Sequence, residues 1–461
     1  MPDFPLASGP AGPAQLRPLL DTVLTALRHG TADRPGPLPA GGPATVTEQV
    51  RAAVGDPLPE HGTDDEEALG TLIRLVAQGA ADPADPLCAA HLHCPPLAVA
   101  TAADLAASAL NPSMDSWDQA PAASALETLV TDALAGLVHP GTRPAPTALL
   151  TTGATESNQL ALLLARERHA PAPVLLVTGE NAHHSLHRAA WLLGLPEPVT
   201  VPTPSGVLDP GALDATLARH STATVLVAAT AGTTDAGHID PLPAVADVCD
   251  HHGARLHIDA AYGGTLLFSD RRRHLLEGLD RAHTVSLDLH KLGWQPIAAG
   301  LLAVRDPADT RALAHHADYL NADDDTHAGI PDLLDRSLRT TRRPDVLKIA
   351  VTLRALGRTG IGALVDQVCD LAAGFARTVE SHPRFELYAR PHLSTVLFRP
   401  HHINDPALAR LRRDLLTGGQ AVLGRAHADG RLWLKATLLN PHTRPADLAG
   451  LLNLVEGHTP R

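Results

Sequence analysis

The chain has 461 residues, 44% hydrophobic and 19% charged, enough for two or three lobes of roughly 100–200 residues each. Its formal net charge of −13 excludes nucleic acid as the main partner, since phosphate contacts need clustered Lys and Arg, and weakly favours cationic substrates. No apolar run reaches about 18 residues, the start MPDFPLASGPAGPAQ lacks the regions of a secretory signal, and the four cysteines form no framework, so a soluble, cytoplasmic protein without disulfides or membrane contact is expected.

Residues 1–85 are rich in Ala, Pro and Gly, which predicts short helices and loops, with one apolar helical stretch at 65–80. From about 145 to 305, TALLTTG, PVLLVTG, TVLVAATAG, ARLHIDAAYG, HTVSLDLHK and IAAGLLAVRD each read as a buried strand, and helix-like stretches at 155–168, 184–194, 210–220 and 241–252 fall between several of them. That alternation predicts an α/β fold with a mostly parallel sheet covered on both faces, whose ligands bind at the carboxyl ends of the strands. A polar stretch at 321–343 reads as a mobile loop. Beyond it, helices at 345–358, 360–380, 405–417 and 445–457 with strands STVLFRP and RLWLKATLL predict a smaller α+β domain. The expected division is therefore 1–85, 86–320, 321–343 and 344–461.

The residues that suggest chemistry follow these strands. In SLDLHKLG, Lys291 stands at the end of an apolar run; burial there favours the neutral amine that a Schiff base needs, although a lysine opening a turn looks the same. In HIDAAYGG, Asp259 ends a strand and is followed by small residues, which suits a carboxylate bonded to a protonated pyridine nitrogen beside a flat ring, or equally a helix-capping Asp. TTGATESN places Gly153, Ala154 and Thr155 at a strand-to-helix turn, where backbone N–H groups and the helix dipole bind phosphate. His183 in AHHS offers an imidazole for stacking, and Thr230 in ATAGTT ends another strand. In CAAHLHC, the spacing of Cys88, His91, His93 and Cys94 lacks the paired Cys-x-x-Cys or His-x-x-x-His arrangement of a zinc site, so no metal is expected.

With AHLHCPPL, TAGTTDAGHIDPL, HIDAAYGG, TTRRPDVLK, LSTVLFR and LKATLLNPHT, residues 88–458 resemble the group II pyridoxal-phosphate-dependent decarboxylases. The resemblance is strongest to the branch acting on 2,4-diaminobutyrate, lysine or ornithine in siderophore-type pathways. It implies a fold type I transferase-like architecture, a homodimer, pyridoxal 5′-phosphate as cofactor and an amino-acid substrate. It further implies that Lys291 carries the cofactor, Asp259 binds the pyridine nitrogen, His183 stacks over the ring with Ala261 beneath, and Thr230 lies near O3′. Thr155, the backbone of Gly153 and Ala154, and His290 would hold the phosphate, while Trp117, Gln119 and His93 would line the substrate side. The chain departs from the pattern at Ala154 (often a second glycine), at Leu292, Gly293 and Trp294 (often two aromatics) and at Pro344 (usually an aromatic). Aromatic-amino-acid decarboxylases use a loop tyrosine to protonate Cα, yet 321–343 contains none; His327, or water, is the expected donor, with a leak toward aldehyde. The expected reaction is release of carbon dioxide from a diamino acid. The alternatives are oxidative deamination, an aromatic or acidic substrate, an aminotransferase or β-eliminating lyase, or a scaffold that binds the cofactor without catalysis.

Overall fold

The six apolar runs between 147 and 304 are strands with both faces covered, which is why they read as continuous rather than alternating hydrophobic stretches. The computed structural model describes residues 5–314, 317 and 320–459, with Asp323 by its backbone alone. Its strands are β1 (Cys88–Ala89), β2 (Thr147–Thr151), β3 (Val174–Gly179), β4 (Val199–Val201), β5 (Thr224–Thr230), β6 (Arg255–Asp259), β7 (Thr284–Asp288), β8 (Gly300–Val304), β9 (Phe385–Leu387), β10 (Thr395–Pro400), β11 (Val422–Ala428) and β12 (Arg431–Thr437). Its α-helices are α1 (Gly12–Ala32), α2 (Gly42–Val54), α3 (Asp65–Gly79), α4 (Ala98–Leu110), α5 (Pro121–Val138), α6 (Ala154–His169), α7 (His184–Leu192), α8 (Pro210–Arg219), α9 (Leu242–His252), α10 (Asp323–His327), α11 (Val346–Ser381), α12 (Asp405–Thr417) and α13 (Pro445–Gly457). None of the described helices is long and apolar enough to cross a membrane.

The chain forms two compact units. The larger, Pro96–Cys369 with Pro391–Leu393, holds a seven-stranded sheet in the order β2-β8-β7-β6-β5-β3-β4. Within it β8 alone runs antiparallel to its neighbours. Leu162 and Ala165 of α6, with Leu186, Ala189 and Ala190 of α7, cover Val174, Leu176, Leu226 and Ala228 of β3 and β5. Strand register sets Thr230 opposite Asp259, Asp259 opposite Ser286, and Asp288 opposite Gly300, so the carboxyl ends of β5, β6 and β7 lie along one edge. Gly300 also pairs with Thr151. A Cβ at Gly300 would lie 2.4 Å from Thr151 Oγ1 and 2.5 Å from Gly153 Cα, so only glycine lets the turn after β2 come this close.

The other unit joins residues up to Pro95 to Asp370–Arg390 and the chain from Ser394 onward. Its five-stranded sheet runs β1-β11-β12-β10-β9, with β1 parallel to β11 and the other pairs antiparallel. Helical spacing of Leu408, Leu411 and Leu415 on α12, and of Leu448, Leu451, Leu452 and Val455 on α13, buries one face of each against this sheet. Contrary to the expectation of short helices near the start, α1 runs for 21 residues. Pro13 sits in its first turn, where the missing N–H costs nothing, and Pro18 is accommodated further in. The two helices predicted at 345–358 and 360–380 are both present: α11 is two helical segments that meet at Gly357, whose φ of 65° no helical residue adopts.

Candidate active site

Lys291 lies on the turn that follows β7, and its side chain is only 19% exposed. Its Nζ is 2.8 Å from Asp288 Oδ2. Asp288 Oδ1 accepts the N–H of Ala154 at 2.7 Å, which ties the lysine turn to the first residue of α6. Next to Lys291, His290 Nδ1 donates to the Ala299 carbonyl at 3.2 Å. Burial holds His290 below its ordinary pKa, with Asp288 opposing.

Asp259, 4% exposed at the end of β6, is gripped by three donors. Asn158 Nδ2 donates to Oδ2 at 2.8 Å; the Ala261 N–H and Ser286 Oγ donate to Oδ1 at 3.1 and 3.2 Å. The same Asn158 nitrogen donates to Ser185 Oγ at 2.9 Å, and Ser185 in turn donates from Oγ (2.8 Å) and N (3.3 Å) to His183 Nδ1. That pattern puts the His183 proton on Nε2, and burial holds the ring below its ordinary pKa. His183 thereby caps α7. Asn158 Oδ1, the remaining acceptor of that amide, takes the Nε2–H of His257 at 2.9 Å, and Thr284 Oγ1 meets His257 Nδ1 at 2.9 Å. Charged, hydrogen-bonded acceptors held this way keep their orientation without further reorganisation.

Thr230 completes the edge. Its N–H donates to Asp240 Oδ2 at 2.7 Å, while Asp240 Oδ1 accepts from Leu208 N and Asn181 Nδ2, both at 2.8 Å. Burial pushes the Asp240 carboxyl up against these bonds.

Of the residues expected from sequence, Gly153, Ala154, Thr155, His183, Thr230, Asp259, Ala261, His290 and Lys291 all lie in the larger unit, at the ends of its strands, on the turns after them or at the starts of α6 and α7. Trp117 is 40% exposed, and Gln119 is bound within its own turn to Asp115 and Ser116 at 2.7 and 2.9 Å. His93 is exposed, in the other unit. His327 is exposed at the end of α10. Sequence reasoning missed Asn158, Ser185, His257, Ser286 and Asp288. The available signal was a polar side chain inside an apolar run: Asn158 is a poor helix former in TESNQLALLL, and His257 and Asp288 interrupt strands.

His257 is fully buried and pushed down to about 4 from 6.5. Its folded pKa lies below the unfolded one, so the unfolded chain binds the extra proton. The stabilising contribution of the neutral ring is complete above about pH 6.5 and is lost as pH falls toward 4. In urea unfolding, the loss of stability between pH 7 and 4.5 should therefore be about 2–3 kcal/mol smaller for His257→Gln than for the wild type; equal losses would refute this.

Pyridoxal phosphate suits these groups. Thr230 Oγ1 is a buried hydroxyl with no hydrogen-bond partner among the described residues, Asp259 is a fixed carboxylate, the Ala154 amide opens a helix, and Lys291 supplies an amine. Residues 48–401 match the pyridoxal-dependent decarboxylase conserved domain. The L-2,4-diaminobutyrate decarboxylase of Rhizobium meliloti is 42% identical over 422 residues, covering 88% of this chain and 84% of that protein. The enzyme of the same name from Acinetobacter baumannii is 31% identical over 440 residues, covering 88% and 86%. The crystal structure of the glutamate decarboxylase domain of diaminobutyrate-pyruvate transaminase and L-2,4-diaminobutyrate decarboxylase from Vibrio parahaemolyticus aligns with a TM-score of 0.87 at 30% identity, covering 99% of this chain and 97% of that one. The chain thus belongs to the pyridoxal-dependent decarboxylases, and it is a fold type I enzyme that uses pyridoxal phosphate to decarboxylate an amino acid.

Proposed function

We propose that the substrate is an L-diamino acid, 2,4-diaminobutyrate before lysine or ornithine, and that the products are the corresponding amine and carbon dioxide. The relative at 42% identity, matched over most of both chains, carries this reading. The net charge of −13 agrees with a cationic substrate.

The cofactor, when bound, supplies an electron sink for the bond pair left at Cα as carbon dioxide departs. Lys291 Nζ would be its point of attachment. Asp259, fixed by Asn158, Ser286 and the Ala261 amide, would keep a proton on the cofactor's ring nitrogen, and His183 and Ala261 would hold the ring. The backbone of Gly153 and Ala154, Thr155 and His290 would hold the phosphate, and the Thr230 hydroxyl would bind the cofactor as well. Trp117 and Gln119 would serve the substrate side. His327, or water, returns the proton to Cα. The working assembly is a homodimer; a fully active monomer in sedimentation equilibrium refutes that.

Labelled carbon dioxide release should be highest with 2,4-diaminobutyrate, and a higher rate with glutamate or an aromatic amino acid would overturn the substrate. Aldehyde as the main product would replace simple decarboxylation with oxidative deamination. The same assay on His327→Ala decides the donor, since an unchanged rate and product ratio removes His327.

A further inference from the structure

Asp288 sits among the groups assigned to the cofactor and has no counterpart role there. Its side chain is 3% exposed. Oδ1 occupies the N–H of Ala154, the first amide of α6, at 2.7 Å, while Oδ2 lies 2.8 Å from Lys291 Nζ and 3.6 Å from His290 Nε2. A helix-opening amide, a histidine and a lysine are what an incoming phosphate and aldehyde must engage, and one carboxylate already holds the amide and the lysine and lies beside the histidine. His183 is within electrostatic reach of both Asp288 and Lys291, and Lys348 within reach of the adjoining His290.

We infer that Asp288 is an internal stand-in for the cofactor phosphate: it neutralises the site when the cofactor is absent and competes with phosphate for the Ala154 amide. The inference rests on the cofactor site proposed above. Its electrostatics are direct. A phosphate arriving at that amide meets a buried anion at contact range, and like charges this close oppose binding strongly where water is excluded. The pair with Asp288 must also open before Lys291 Nζ is free to bond carbon. An aspartate that merely capped the turn would behave differently, because removing its charge would then bring phosphate no advantage.

The test uses the full-length chain freed of cofactor with hydroxylamine, titrated with inorganic phosphate by calorimetry at fixed ionic strength. Asp288→Asn, which keeps size and shape but not charge, should bind inorganic phosphate at least about tenfold more tightly than the wild type. It should also attach pyridoxal phosphate to Lys291 several-fold faster, as followed by borohydride trapping and mass mapping. Should circular dichroism show Asp288→Asn unfolded, Asp288→Ser gives the same comparison. Equal or weaker phosphate binding in the charge-free variant overturns the inference while leaving the site intact, provided the wild type traps cofactor on Lys291. Wild-type cofactor trapped on another lysine overturns the site and this inference together.

Discussion

Lys291→Ala should lower decarboxylation by about 10⁴-fold or more, as expected when the group that forms the covalent link is removed. The effect should be unusually clean, because the sequence contains just two other lysines, Lys348 and Lys435. Lys348 is 1% exposed and ion-paired to Asp104 and Asp345 at 3.1 and 3.0 Å, and Lys435 is buried in β12. Lys348 is committed to its two carboxylates, and Lys435 belongs to the other compact unit. Borohydride reduction of the wild type followed by peptide mapping should mark the Lys291 peptide alone. Near-wild-type turnover in Lys291→Ala, with the variant folded by near-ultraviolet circular dichroism, would exclude Lys291 as the attachment point.

The second large effect concerns stability. Arg342 makes a bidentate pair with Glu127 of α5 at 2.6 and 2.8 Å, and both side chains are at most 4% exposed. Its carbonyl accepts the Met114 N–H at 2.8 Å. Nearby, Arg336 donates to Thr131 Oγ1 and the Ala148 carbonyl at 3.1 and 3.0 Å, and Arg339 reaches Glu156 at 3.2 Å. The stretch before Pro344 is therefore fastened to α5, β2 and α6 by arginines. Arg342→Met leaves Glu127 buried and uncompensated, so unfolding in urea should show a loss of about 3–5 kcal/mol. Glu127→Gln/Arg342→Met should recover much of it, because the lone charge is gone. A single-variant loss below about 1 kcal/mol would show that the pair is not energetically coupled.

How much of this was legible in the sequence depends on the range of the interaction. Strands β2, β3, β5, β6, β7 and β8 announce themselves because burial on both faces leaves a continuous apolar run. By contrast, β4 has only three residues, and β11 carries Gly424, Arg425 and His427 among its apolar positions, so neither presents such a run. Long-range contacts left no local trace at all. Asn158 and Asp259 are 101 residues apart, and nothing in TESNQ names the partner of that amide. The same holds for Asp288, whose link to Ala154 crosses 134 residues. The pattern TTGATESN suggested a phosphate turn, but not that a carboxylate already holds its first amide.

The parallel pairing of β1 with β11 has a consequence for biosynthesis. Cys88 and Ala89 register against Val422 and Leu423, so this sheet joins residues made early to residues made late. At about 5–20 residues per second, β1 waits on the order of tens of seconds for its partner. During that interval Pro96–Cys369 can assemble its own sheet, because β2 to β8 are contiguous in the chain. A ribosome-stalled nascent chain ending near residue 400 should therefore protect β2–β8 from protease while leaving 80–95 open to cleavage; protection of both would show that the early segment folds without β11.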